Sequence, residues 1–297
     1  MRHDAIVVGG SFAGLSAALY IARARRSVCI LDTGLPRNRF AEHSHGFFGQ
    51  DGSAPRAMLG TARSQVANYP TTTLIDQKAI RATKEKSGFS VELATGGVLE
   101  AARLVLAFGV SDELPAIPGL AERWGTSVLH CPYCHAYEFG GRRLGVLNVS
   151  PNSISQALLI AEWGPTTLYM NGAPGPDDES RTRLLGRSVV VEPAQVTGLH
   201  GSSTHLSSIE LADGRWLDVD ALFLRPRTLL NSDIAEQLGC ETDEGPNGRF
   251  IRTDSQRMTT VPGVYAAGDI ARDSHFAMWA CADGVTVGVA VHRSLMS

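Results

Sequence analysis

The first thirty-two residues constrain the fold most. Ala5-Ile6-Val7-Val8 is an unbroken apolar run, and Gly9-Gly10-Ser11-Phe12-Ala13-Gly14 follows at once. Such a run reads as a strand buried on both faces, which a parallel sheet provides. Leu15–Ala24 is apolar at helical spacing, and Val28–Leu31 is a second β-like run ending at Asp32. Strand, Gly-rich turn, helix, strand and acid in that order predict a βαβ unit that binds a dinucleotide. The G-x-G-x-x-G spacing falls on Gly9, Ser11 and Gly14, with Ser in the middle place. Small residues there let the backbone approach a pyrophosphate at the helix N-terminus, where N–H groups point outward. Asp32 stands where a carboxylate accepts from a ribose hydroxyl. A Gly-rich turn by itself also suits an ordinary strand–helix connection. The ordered context favours a nucleotide.

The rest of the chain keeps the alternation of strand and helix. Leu144–Val149 is strand-like, Ile154–Trp163 helical and Thr167–Met170 strand-like, which makes a second βαβ-like unit. A Pro-rich hinge at Leu114–Gly119 and a second candidate boundary near Arg225-Pro226-Arg227 bracket it. Near the end, Val261–Asp269 predicts a last strand and turn, and a helix is expected from about Gly284. With 297 residues, 43% of them hydrophobic, the chain has room for two domains. The expectation is an α/β architecture of two Rossmann-like nucleotide-binding domains. The first comprises residues 1–112 and 229–297, and the second, residues 113–228, is inserted into it. A net charge of −3 leaves no basic field for nucleic acid or anionic lipid. Arg2-His3-Asp4 leads directly into the first strand, without the apolar stretch of a secretory signal. No apolar run reaches the ~18 residues of a membrane span. A cytoplasmic protein is expected.

Of five cysteines, Cys29, Cys240 and Cys281 stand alone and read as small buried hydrophobes. His130-Cys131-Pro132-Tyr133-Cys134-His135 is different. The C-x-x-C spacing lets two sulfurs close a small disulfide ring, and nearby N–H groups and cations ease thiolate formation. Pro132 stiffens the ring, and His130 or His135 can move a proton near neutral pH. Zinc is the rival reading. It needs four ligands, typically a second C-x-x-C or paired histidines, and that second half is missing.

Two further stretches carry a resemblance. Gly263-Val264-Tyr265-Ala266-Ala267-Gly268-Asp269 resembles the second FAD fingerprint of the pyridine-nucleotide disulfide reductase superfamily. Leu106-Ala107-Phe108-Gly109 resembles its Ala-Thr-Gly crossover, with Phe108 for Thr. FAD turn, crossover, inserted C-x-x-C and Tyr-Ala-Ala-Gly-Asp together resemble the low-molecular-weight thioredoxin reductases over nearly the whole chain. The resemblance implies FAD as cofactor, bound by residues 9–14, Asp32, Ala107, Gly109, Gly268 and Asp269. It implies that Cys134 is the flavin-side thiol and Cys131 the interchange nucleophile. The family usually follows the second Cys with an acid–base Asp, and His135 takes that place. His275-Phe276-Ala277 replaces the family's Arg-Gln-Ala, with Ala277 kept beside the flavin. The helix expected near Gly284 would aim its N-terminal dipole at the flavin's N1–O2 edge. The family is dimeric, so a homodimer is expected.

The pattern breaks where NADPH should bind. The second turn, Leu147-Asn148-Val149-Ser150-Pro151-Asn152-Ser153, has no glycine. The stretch Asn171–Glu179 is acidic where a 2′-phosphate clamp should be basic. Residues 32–38 and His43-Ser44-His45-Gly46-Phe47, with Cys-Pro-Tyr-Cys-His, resemble the dithiol oxidases of gliotoxin and holomycin biosynthesis. They also resemble bacterial thioredoxin-reductase-like flavoproteins lacking an NADPH site. That resemblance places Arg37 and His45 against FAD. The leading expectation is an NADPH-independent flavoenzyme that oxidises a small dithiol with O2 or another acceptor. The alternatives are a reductase of a thioredoxin-like protein, fed by NADPH or a ferredoxin-like donor, and a non-catalytic flavin sensor.

Overall fold

A computed structural model describes residues 2–296. The chain opens with β1 (Arg2–Val8), α1 (Phe12–Arg23) and β2 (Val28–Leu31), as expected, with the helix begun earlier at Phe12. It continues through α2 (Pro55–Ala67), β3 (Thr72–Ile75), β4 (Ala79–Glu85), β5 (Gly88–Leu93), β6 (Val98–Leu106) and β7 (Val110–Glu113). Next come β8 (Val128–Leu129), α3 (Pro132–His135), β9 (Leu144–Leu147), α4 (Ser153–Ile160), β10 (Thr166–Tyr169), α5 (Asp178–Gly186) and β11 (Val190–Glu192). An antiparallel trio, β12 (Val196–His200), β13 (Ser208–Leu211) and β14 (Trp216–Asp218), precedes β15 (Ala221–Phe223). The chain ends with β16 (Arg227–Leu230), α6 (Ile234–Gln237), β17 (Thr242–Gly245), β18 (Gly248–Ile251), β19 (Val264–Ala266) and α7 (Ala277–Ser294).

Two compact units result. One holds Met1–Arg39, Pro55–Ser111 and Thr228–Ser297, the other Phe40–Ala54 and Asp112–Arg227. The connecting strands β7 and β16 pair with each other.

The first unit is built on the sheet order β3-β2-β1-β6-β5-β4. Strands β1, β2, β3 and β6 run parallel. The first half of β6 pairs with β5, and its second half, Leu104–Leu106, pairs in parallel with β19. Alternate residues of β1 feed two different layers, as a period of two requires. Ile6 and Val8 pack with Cys29, Leu31 and Leu106 on one face. Ala5 and Val7 pack with Ala17, Ile21 and Val287 of the helices on the other. Full burial of a side chain such as Ile6 contributes about 1.5–3 kcal/mol, so the apolar run fixes the centre of the sheet.

The last helix starts at Ala277 and not near Gly284. Gly284 is there for packing. A Cβ on it would lie 2.2 Å from Ala13 O, and one on Gly288 would lie 2.6 Å from Tyr20 Cβ. Glycines four apart share one helix face, and here that face lets α7 pack closely on α1.

The second unit has the all-parallel order β11-β10-β9-β15-β8. Leu144, Val146, Ala157, Ile160, Leu168 and Phe223 fill the core between sheet and α4. Segment 40–54 belongs to this unit: a Cβ on Gly125 would meet Phe40 at 2.6 Å. Among the described residues no helix is long and apolar enough to cross a membrane.

Candidate active site: a nucleotide cradle and a dithiol loop

The β1–α1 turn is kept bare by its neighbours. Gly9 has φ +112°, and a Cβ there would fall 2.1 Å from Ala107 O. A Cβ on Gly14 would fall 1.8 Å from Gly9 O. Gly10 lies against Asp32, whose Oδ1 accepts its N–H at 3.1 Å. Ser11 makes no side-chain cap on α1, and the first turn holds no acid, which suits an anion there. Ala107 N donates to Val8 O, so the 106–109 crossover runs beside the turn. Gly109, with φ +71°, is tied to Asn231 through its carbonyl. Gly268 closes the other side, where a Cβ would lie 3.0 Å from Ala13 Cβ. Residues 9–14, Ala107 and Gly268 therefore meet, though they lie far apart in sequence. These close approaches leave no room for side chains in the turn, and the uncapped N-terminus of α1 beside it fits a dinucleotide pyrophosphate.

Asp269 is engaged by Arg37. Arg37 Nη1 lies 3.1 Å from Asp269 Oδ2 and 2.7 Å from His275 Nδ1. Two partners not foreseen from sequence flank this site. Arg63 of α2 pairs with Asp32 at 3.3 Å. Asp283 of α7, almost fully buried, accepts from Arg272 Nη2 at 2.6 Å and from Gly268 N at 3.3 Å, and pairs with Arg257 at 2.7 Å. The available signal was a lone acid in a stretch of Ala, Val and Gly, because a buried charge must be paired.

In the second unit, β8 leads into the redox loop. Cys131 caps the short helix α3, Pro132 takes its first position, and Cys131 and Cys134 form a disulfide with Cα atoms 5.3 Å apart. Exposure runs opposite to the implied roles: Cys131 is buried, 6% exposed, and Cys134 is partly exposed. Gln156 of α4 steadies the loop, its Nε2 donating to His130 O at 3.1 Å. Burial holds the His135 imidazole below its ordinary value, helped by His45 and opposed by Glu138. His45, brought in by segment 40–54, sets Nε2 at 3.4 Å from Glu138 and Nδ1 at 3.7 Å from Asp51. The other thiols differ: burial pushes Cys29 up to about 11 and raises Cys240 and Cys281, which disfavours their thiolates.

The turn between β9 and α4 is closed on itself. Val149 N and Ser150 N both donate to Ser153 Oγ at 3.2 Å. Asn148 N is taken by Tyr169 O. Two amides of this turn are thus taken by a side chain of the turn itself, and Pro151 offers none. In the acidic stretch that follows, Asp177 caps α5 by accepting from Ser180 N at 2.7 Å.

The chain matches the family model described as pyridine nucleotide-disulphide oxidoreductase over residues 3–149 and 183–284. It belongs to this family. A relative named thioredoxin reductase tcpT, from Claviceps purpurea, is 34% identical over 90% of this chain and 86% of its own. A second, thioredoxin reductase sirT from Leptosphaeria maculans, is 30% identical over 97% and 93%. The crystal structure of an oxidoreductase from Agrobacterium tumefaciens superposes with TM-score 0.95 at 44% identity, covering 100% of this chain and 99% of that one. The structure of HlmI gives 0.93 at 36% identity, covering 99% and 93%. The family's thioredoxin-reductase-like branch consists of two-domain Rossmann-fold flavoproteins, and this chain is an oxidoreductase of that branch.

Proposed function

We propose that this chain is an FAD-dependent thiol–disulfide oxidoreductase that oxidises a dithiol at Cys131–Cys134 without drawing on NADPH. The observation that carries the reading is a redox disulfide in the same unit as a glycine-free turn, two of whose amides are taken by Ser153 Oγ. Dithiol oxidases of the gliotoxin and holomycin type, which the sequence resembles, give the reading its substrate class.

A substrate thiolate attacks Cys131 Sγ, and the S–S bond breaks with Cys134 leaving as thiolate. The second substrate thiol then attacks the substrate's own sulfur in that mixed disulfide, so a substrate disulfide forms and Cys131 leaves. His135, neutral near pH 7 because burial disfavours its charged form, takes the proton that the attacking thiol loses. Glu138 steadies the resulting imidazolium. FAD, when bound, supplies a two-electron acceptor that returns the cysteine pair to the disulfide, with O2 or another oxidant downstream. Residues 9–14, Asp32, Ala107, Gly109, Gly268 and Asp269 are proposed to hold it, with Arg37, His45 and Ala277. A cytoplasmic homodimer, with residues 1–112 and 229–297 as the FAD domain and 113–228 inserted, completes the proposal.

The test is anaerobic flavin absorbance. Bleaching by dithiothreitol but by neither NADPH nor NADH is expected, and prompt bleaching by NADPH would refute NADPH independence. The names of the relatives support a second reading, reduction of a thioredoxin-like protein, which turnover of such a protein by the reduced enzyme would favour.

A further inference from the structure

The network around Asp269 fixes the proton on one histidine. His275 Nε2 lies 3.1 Å from the Arg272 carbonyl oxygen, which can only accept. Nε2 therefore carries the proton, and the neutral ring presents a bare Nδ1. Arg37 Nη1 donates to that nitrogen at 2.7 Å while also donating to Asp269 Oδ2. The Arg272 end is itself held, because its guanidinium is tied through two nitrogens to Asp283 and lies over the Trp279 ring at 5.1 Å. A chain of fixed groups thus runs from α7 to the turn after β19 and back to the loop after β2: Asp283, Arg272, His275, Arg37, Asp269.

We propose that His275 is a positioning residue of the FAD site, its neutral Nε2-protonated ring holding the Arg37 guanidinium on Asp269. This rests on reading the first unit as the FAD site. It gives the His-Phe-Ala sequence, where thioredoxin reductases carry Arg-Gln-Ala, a job of its own.

The arrangement depends on pH. A second proton, on Nδ1, would point at a guanidinium that cannot give up its own. The carboxylates near the ring are already engaged. Asp269 is shared with Arg37, Asp283 is committed to Arg272, Arg257 and Gly268 N, and Asp273 takes the Asn247 N–H. A proton on Nδ1 would therefore release Arg37 from the ring.

The experiment is titration of FAD into flavin-stripped protein, read by fluorescence quenching between pH 8 and pH 5, with circular dichroism showing that each apo protein is folded. Wild type is expected to lose affinity by about tenfold or more toward pH 5, the scale of one charge-assisted hydrogen bond. His275→Gln offers an uncharged acceptor and donor, and is expected to bind within a few-fold of wild type at pH 8 with a flat profile. Arg37→Met removes the cation that the extra proton would face, and is expected to bind more weakly but also without pH dependence. It serves as the test if His275→Gln does not fold. Tight wild-type binding that is flat with pH would overturn this inference alone, as would a wild-type slope kept by both variants. Failure of wild type to bind FAD at any pH would overturn the cofactor reading and this inference with it.

Discussion

Cys131 and Cys134 have identical side chains and unequal surroundings, and their division of labour can be trapped. In Cys134→Ser, the freed Cys131 thiolate is expected to attack an added linear disulfide such as oxidised glutathione, expelling one half as a thiol and keeping the other as a mixed disulfide, visible as a mass increase of the intact protein. Adduct formation only in Cys131→Ser would reverse the assignment, and the deeper burial of Cys131 makes the comparison informative. Cys131→Ser is expected to lose dithiol turnover entirely while staying yellow. His135→Asn should slow flavin bleaching by a dithiol about 10²-fold or more, the usual scale for a general base. The same histidine leaves a mark on stability. Its folded value lies below the unfolded one, about 6.5, so the unfolded chain takes up the proton first. Its contribution to stability is complete above about pH 6.5 and is lost as pH falls through the lowered folded value. Melting of His135→Asn against wild type across pH 7.5 to 5 should show the wild type losing more in acid. Equal losses would show that the burial does not act on this imidazole.

At the level of elements, Ser153 is the sharpest test. Ser153→Ala removes the acceptor of two amides beside α4 and is expected to cost about 1–3 kcal/mol in a thermal melt. It should not create bleaching by NADPH, because Pro151 and the acidic stretch after β10 remain. The pattern of apolar runs made β1, β2, β9 and β10 legible, because strands buried on both faces leave an unbroken signature. The start of α7 was not legible, because Gly284 reads as a helix boundary unless one knows that α1 lies against it. The hydroxyl of Ser153 was equally silent. The missing glycines of that turn could be read, but the group that takes over its amides depends on a side-chain rotamer. Likewise, the seating of segment 40–54 beside the redox loop, with His45 between Asp51 and Glu138, is a tertiary contact that local sequence does not encode. Asp283 fell between these cases. Its burial could be suspected from its apolar neighbours, but its two arginine partners could not be named.

Across the whole molecule, ligand linkage should be large. A ligand that binds only the folded state at a hundred times its dissociation constant adds about 2.7 kcal/mol. FAD is therefore expected to raise the melting temperature of stripped protein by several degrees, and an unchanged melt would argue against a cradle at residues 9–14. The order of the chain has a further consequence. The second unit's residues, 40–54 and 112–227, all precede the last seventy of the first unit. On the ribosome, the redox unit can therefore fold while the other sheet still lacks β19 and while α1 still lacks α7. Until residues 264–291 emerge, the second half of β6 and the small-residue face of α1 stay uncovered. Flavin capture is in this sense a late event of synthesis, which waits on residues 264–291.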